Sequence, residues 1–242
     1  MANNLNKKCS VMWPIIFGVI FVIYTAVVKL VDIKHIGPLN SGVGLGTINR
    51  YFMNLIGINM VWYHITNVLG IVALLIVAFF AFVGLFQLVK RKSLKRVETD
   101  IIILGCFYVV VMIFYVLFDK FAINYRPVVF DEGLEPSYPS SHTFLAVCVF
   151  YTAILQIKWK VSDKFTSNII TVVLAVLIAL TVVGRLLSGV HWFTDIVGGV
   201  LISLFLISLY VYFVDRFGRY KRRPACISIS SIRHGLNEKI KK

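Results

Sequence analysis

The chain has 242 residues, 59% of them hydrophobic, and a mean hydropathy of +0.85, whereas a water-soluble domain is about half apolar. A net charge of +14 would point to nucleic acid on a soluble protein, but here the cations flank apolar runs long enough to span a bilayer. They read as topological signals, and nucleic acid is excluded as a partner. Four cysteines without a CxxC spacing give neither a disulfide framework nor a zinc site.

The expected fold is all-α, a polytopic membrane protein with six transmembrane helices. Residues 1–10 are polar. Val11–Val31 is the first span; it is long, lacks a small-residue cleavage site and reads as an anchor. Residues 32–59 are mixed. Pro38, Ser41, Gly42, Gly44 and Gly46 form a loop whose GxGxG follows no strand and so is no nucleotide motif. Asn49–Ile58 has the pattern of a short amphipathic helix in the interface. Met60–Leu88 contains the second span, Lys90–Arg96 is a dense basic loop and Ile101–Phe118 is the third span. Asp119–Ser141 is a polar loop with three prolines, and Thr143–Ile157 is a short fourth span. After the basic Lys158–Lys164, the fifth and sixth spans are Asn168–Leu187 and Phe193–Val214. The expected division is one membrane domain over 1–214 and a basic cytoplasmic tail over 215–242.

Six spans put both termini on one side. Lysine and arginine number 2 in the N-terminal segment, 5 in 90–96, 3 in 158–164 and 9 in the tail, nineteen of the 25. That side is expected to be the cytoplasm of a cell-membrane protein, and the tail is placed to touch anionic lipid. The other six are Lys29, Lys34, Arg50, Lys120, Arg126 and Arg185. The last three oppose the topological trend, which supports a task other than orientation.

Gly184–Asp195 (GRLLSGVHWFTD) holds Arg185, His191 and Asp195 between two apolar runs. His191 and Asp195 are four apart, on one helical face, where the carboxylate can accept from Nδ1–H and leave Nε2 free. As a pair they equally describe an interfacial histidine beside a cap-like aspartate. Arg185 is costly at that depth unless paired or beside a wet cavity. Upstream stand Lys120, Arg126-Pro127 and Pro139-Ser140-Ser141-His142. A serine pair at a helix N-terminus is either a cap or a phosphate cradle. Together these residues supply three cations, two helix N-termini and two histidines on one membrane face.

The order K…RP…PSSH…GRxxxxxHxxxD resembles the signature KxxxxxxRP, PSGH, SRxxxxxHxxxD of the type 2 phosphatidic acid phosphatase family, the lipid phosphate phosphatase and vanadium haloperoxidase superfamily. The motifs cover about residues 120–195. The resemblance implies a metal-independent, cofactor-free membrane phosphatase. His191 would be the nucleophile, Asp195 its orienting partner, and His142 the general acid and then base. Lys120, Arg126, Arg185, Ser140 and the backbone at Ser141 and His142 would bind phosphoryl oxygens. Asp131, Glu132 and Glu135 read as a solvated loop. Three departures stand out. Five residues rather than six separate Lys120 from Arg126, a shift of about 100° on a helix; Ser141 replaces glycine; Gly184 replaces serine.

The expected activity is hydrolysis of a lipid phosphate or pyrophosphate at the outer leaflet. Candidate substrates are undecaprenyl pyrophosphate, phosphatidylglycerophosphate and phosphatidic acid. A lipid phosphotransferase using the same phosphohistidine, a transporter lined by Arg185, His191 and Asp195, and an inactive lipid-binding relative are the alternatives.

Overall fold

The computed structural model describes residues 2–130 and 133–218. Seven helices carry the fold among them: α1 Ala2–Leu30, α2 Gly46–Ile56, α3 Met60–Arg91, α4 Thr99–Lys120, α5 Ser141–Lys160, α6 Lys164–Ser188 and α7 Phe193–Phe217. All but α2 contain a segment long and apolar enough to cross a membrane, so this is a multi-pass membrane protein. The side chains of 2–10 fall outside the description, as do residues 131–132 and the tail from 219.

Local chemistry sets the helix boundaries. The Asn59 side chain accepts from the backbone N–H groups of Val61 (3.0 Å) and Trp62 (3.3 Å) and starts α3. Asp163 does the same for α6, accepting from Thr166 at 2.9 Å. A short antiparallel pair, β1 Lys34–His35 with β2 Gly42–Val43, folds the segment after α1 back on itself. The amphipathic helix of this region begins at Gly46, three residues before the sequence pattern suggests, because the left-handed Leu45 precedes it. Ile48, Tyr51 and Leu55 of α2 are exposed on one face, and Asn49 points inward with 1% exposure.

α5 is the central helix. Its hydropathy is the lowest of the six spans, 1.3, and 67% of its span window is buried, against 17–44% for the others. Two of its polar side chains find partners inside the bundle: Thr152 pairs with Tyr108 Oη at 3.1 Å, and Gln156 Nε2 donates to Tyr210 Oη at 2.8 Å, while Gln156 Oε1 has none. A buried hydrogen-bonded side chain costs far less than an unpaired one. This explains why an apolar pattern alone makes α5 look like a span of only 15 residues. α1 and α4 pack on α7, and α3 and α6 cover α5 from the other side. Between α3 and α4 runs an apolar groove of about 1080 Å³, lined by Phe80, Gly84, Gly105 and Met112 among others. The ends of the helices opposite the Lys90–Arg96 turn carry every motif residue.

Candidate active site

The loop after α4 is sewn onto the turn between α6 and α7. Gly189 ends α6 with φ +66°, and a Cβ there would stand 2.0 Å from the Gly57 carbonyl oxygen, so the turn requires glycine. The chain then presents His191 and Trp192 before α7 begins. Trp192 Nε1–H donates to the Tyr125 carbonyl at 2.7 Å. The Ser137 N–H donates to the Asn124 carbonyl at 2.9 Å, and the Ser140 N–H to the Asp195 carbonyl at 3.0 Å. The N-termini of α5 and α7 therefore meet, as the motif order leads one to expect.

His191 is 3% exposed. Its Nδ1 lies 3.2 Å from the Ser137 carbonyl. A carbonyl only accepts, so Nδ1 carries the proton and Nε2 is left with its lone pair. That Nε2 is buried and has no hydrogen-bond partner. Burial first, then the charges of Arg126 and Arg185, hold the imidazole well below its ordinary pKa of 6.5. The tautomer is the one the spacing suggests, but its holder differs. The Asp195 carboxylate is 3.8 Å from Nδ1, beyond a hydrogen bond. Its Oδ2 accepts from the Trp192 N–H at 2.9 Å and its Oδ1 from Asn124 Nδ2 at 3.4 Å. Asp195 thus caps α7 while facing the histidine; Ser137 aims the ring directly.

Arg185 is fully buried. Its Nη2 donates to Asn67 Oδ1 at 2.6 Å, and its Nε and Nη1 have no partner. A buried guanidinium with two free N–H edges is prepared for an anion. Arg126 sits with Nε 3.0 Å from Glu135 Oε2, and its N–H donates to the Glu135 carbonyl. The two arginines are joined through aromatic rings. Arg185 lies over the Tyr63 ring at 5.4 Å, Tyr63 stacks on Phe130 at 5.3 Å and 24°, and Arg126 lies over Phe130 at 5.5 Å.

Ser140 is fully buried and accepts from Thr143 Oγ1 at 3.0 Å. Ser141 borders a polar cavity of about 230 Å³ with Asp119, Arg126, Glu135, Ser137 and Tyr138. His142, half-buried in the first turn of α5, lies against Gly70 of α3, and its Nδ1 is buried without a partner. Lys120 does not join them. It is exposed and borders the apolar groove between α3 and α4, while Asp119 takes the place on the polar cavity. Gly184 also has a reason: a Cβ there would stand 2.7 Å from Thr66 Cγ2 and 3.0 Å from the Trp62 ring. The space of a serine side chain is filled by α3.

Sequence reasoning missed Asn49, Tyr63, Asn67, Asn124, Phe130 and Ser137. Asn67 had a signal, as an amide inside an otherwise apolar span; Asn49 looks like the polar first residue of an amphipathic helix and Asn124 like an ordinary loop residue. Asn124 ties three pieces together: its side chain accepts from the Gly44 N–H at 3.1 Å and donates to Asp195, and its carbonyl receives Ser137. Asn49 Nδ2 donates to Thr194 Oγ1 at 2.9 Å, and its Oδ1 accepts the Thr194 N–H at 3.2 Å. Among the described residues no group of three or more His, Cys, Asp or Glu could hold a metal ion. Asp131 and Glu132 lie outside the described residues, and Glu135 serves Arg126 instead of standing as a solvated loop residue.

Residues 120–219 match the model of the PAP2 superfamily. Phosphatidylglycerophosphatase B of Bacillus subtilis (strain 168) is 29% identical over 104 residues, which is 41% of this chain and 49% of that protein. The chain spans about half the length of the curated relative it matches. A crystal structure described as the first transmembrane PAP2-type phosphatidylglycerolphosphate phosphatase from Bacillus subtilis superposes with a TM-score of 0.62 at 16% identity. It covers 86% of this chain and 98% of that one, and at that identity the likeness bears on the fold.

Proposed function

We propose that this chain, whose residues 120–219 match the PAP2 superfamily model, is an integral-membrane lipid phosphatase hydrolysing a lipid phosphate or pyrophosphate through a phosphohistidine. The observation that carries the reading is the buried, unpartnered Nε2 of His191, with Nδ1 held by the Ser137 carbonyl, next to an Arg185 with two free buried N–H groups.

In the proposed reaction the Nε2 lone pair attacks phosphorus in line with the ester oxygen. The P–O bond breaks and His142 gives its proton to the departing oxygen. His142 then takes a proton from water, whose oxygen attacks the phosphohistidine; the P–N bond breaks and inorganic phosphate leaves. Arg185 and Arg126 stabilise the charge on the equatorial oxygens, with the N-termini of α5 and α7 contributing oriented N–H groups. No residue is changed over a full cycle. Phosphatidylglycerophosphate, for which the Bacillus relatives are named, stands beside undecaprenyl pyrophosphate and phosphatidic acid as a candidate.

The unit doing this is 1–214, with 215–242 a cytoplasmic tail that contacts anionic lipid. Both termini face the cytoplasm and the site faces outward, a reading supported by the cation census. The test is phosphate release from a panel of lipid phosphates by detergent-purified protein in chelator. Release is expected to persist in chelator, to be inhibited by vanadate and to vanish in His191→Ala and His142→Ala. Turnover that requires a divalent cation, or that survives loss of His191, overturns the mechanism.

A further inference from the structure

The motif residues account for the phosphate-facing groups but not for what fixes the two guanidiniums relative to each other. They come from distant places: Arg185 from the last turn of α6 and Arg126 from the loop after α4. Each is held at one edge, Arg185 by a hydrogen bond to Asn67 and Arg126 by an ion pair with Glu135 in which its buried Nε makes no hydrogen bond. A single-edge anchor leaves a guanidinium free to swing about that contact. Their guanidinium carbons lie over the rings of Tyr63 and Phe130, and those two rings stack on each other. A ring face carries negative potential and holds a cation flat against it, leaving the N–H edges in the plane and available. Both rings are half-buried, so water competes only partly for the cations.

We propose that Tyr63 and Phe130 are positioning residues of this site. The column of contacts Arg185–Tyr63, Tyr63–Phe130 and Phe130–Arg126 restrains each guanidinium relative to the other at the phosphate site. It also separates two like charges while no anion is bound. Tyr63 belongs to α3, a helix with no motif residue, and Phe130 to the loop. The column therefore makes the capture of phosphate depend on that loop lying against α3. The proposal rests on the phosphatase reading above.

The probe is vanadate, titrated as an inhibitor of the full-length protein in detergent, with kcat measured on the same preparations. Tyr63→Leu and Phe130→Leu are expected to weaken vanadate inhibition about five- to thirtyfold, the range of a partly desolvated cation–π contact. Tyr63→Phe and Phe130→Tyr retain a ring face and are expected to stay within about twofold of the parent chain. The double leucine variant is expected to be little worse than the weaker-binding single variant, since either break disconnects the column. Where a leucine variant does not fold, fluorinated phenylalanines at position 130 keep the shape and drain the ring face. Inhibition should then weaken stepwise with each added fluorine. Unchanged inhibition in the leucine or fluorinated proteins overturns the proposal, as do additive losses or conservative variants as impaired as leucine. A parent chain that neither releases phosphate nor binds vanadate sinks both readings; one that does both while the column variants match it sinks only this one.

Discussion

Asp119 and Lys120 are neighbours on the last turn of α4, yet they serve different spaces: Asp119 borders the polar cavity beside Arg126, and Lys120 borders the apolar groove between α3 and α4. The one-residue difference in spacing thus exchanges a cation for an anion at the cavity's edge. Glu135 already pairs with Arg126, so Asp119 adds a further negative charge there. Asp119→Lys is expected to strengthen vanadate inhibition about tenfold, since one added cation near a polyanion is worth roughly 1–2 kcal/mol. Lys120→Ala is expected to cost far less turnover than Arg126→Ala or Arg185→Ala, each of which should lower kcat/KM about 10²-fold or more. Steady-state kinetics on one lipid phosphate decide the ranking, and equal losses at all three positions would return Lys120 to the site.

Asn124 holds the Gly44 N–H and the Asp195 carboxylate with one side chain. Asn124→Ala leaves both without that partner in a buried setting and is expected to destabilise by about 1–3 kcal/mol. It should lower kcat more than it raises KM, because Ser137 and Asp195 lose their register against His191. Thermal unfolding in detergent and initial rates check the two halves separately.

Gly184→Ser introduces the serine of the signature that this sequence resembles and should nevertheless harm the protein. The added Cβ meets Thr66 Cγ2 at 2.7 Å, and overpacking of this kind costs about 1–3 kcal/mol. Thr66→Ala in the same chain is expected to recover most of the loss. If Gly184→Ser alone unfolds at the parent temperature, the close approach of α3 and α6 is not what selects glycine.

The pH dependence follows from His191. Its pKa is lowered in the fold, first by burial and then by the two arginines. The unfolded chain therefore binds a proton that the folded chain refuses as pH falls through about 6.5. The contribution to stability is complete above that value and declines on acidification. The neutral imidazole persists well below it, so under the proposed mechanism the acid limb of kcat/KM due to His191 should lie well below pH 6.5. Replacing Arg126 with glutamine removes one cause and should move that limb upward; a rate profile across the acid range reads it.

Much of this was legible in the sequence. Apolar runs and cation placement yield six spans with boundaries off by a few residues, because hydrocarbon dominates their chemistry. Three motifs bring His142, His191, Arg126 and Arg185 to one end because each flanks a span whose direction follows from counting. What was not legible depends on side chains from segments distant in sequence. Tyr63 and Phe130 are 67 residues apart by number and each looks like an interfacial aromatic. Ser137 acts through its carbonyl, which its residue type does not announce. Asp119 became visible only once the last turn of α4 fixed which side each neighbour faces.

Asn49 and Thr194 exchange two hydrogen bonds, and Thr194 is next to Asp195. Asn49 rides on α2, whose opposite face exposes Ile48, Tyr51 and Leu55. A helix with an exposed apolar face, the pattern of an interfacial helix, is thereby bolted to the first turn of α7. Lateral pressure and headgroup packing then become mechanical inputs to the geometry at His191. Rate constants for this protein belong to a particular bilayer as much as to the polypeptide, and a micelle and a membrane should yield different ones from the same chain.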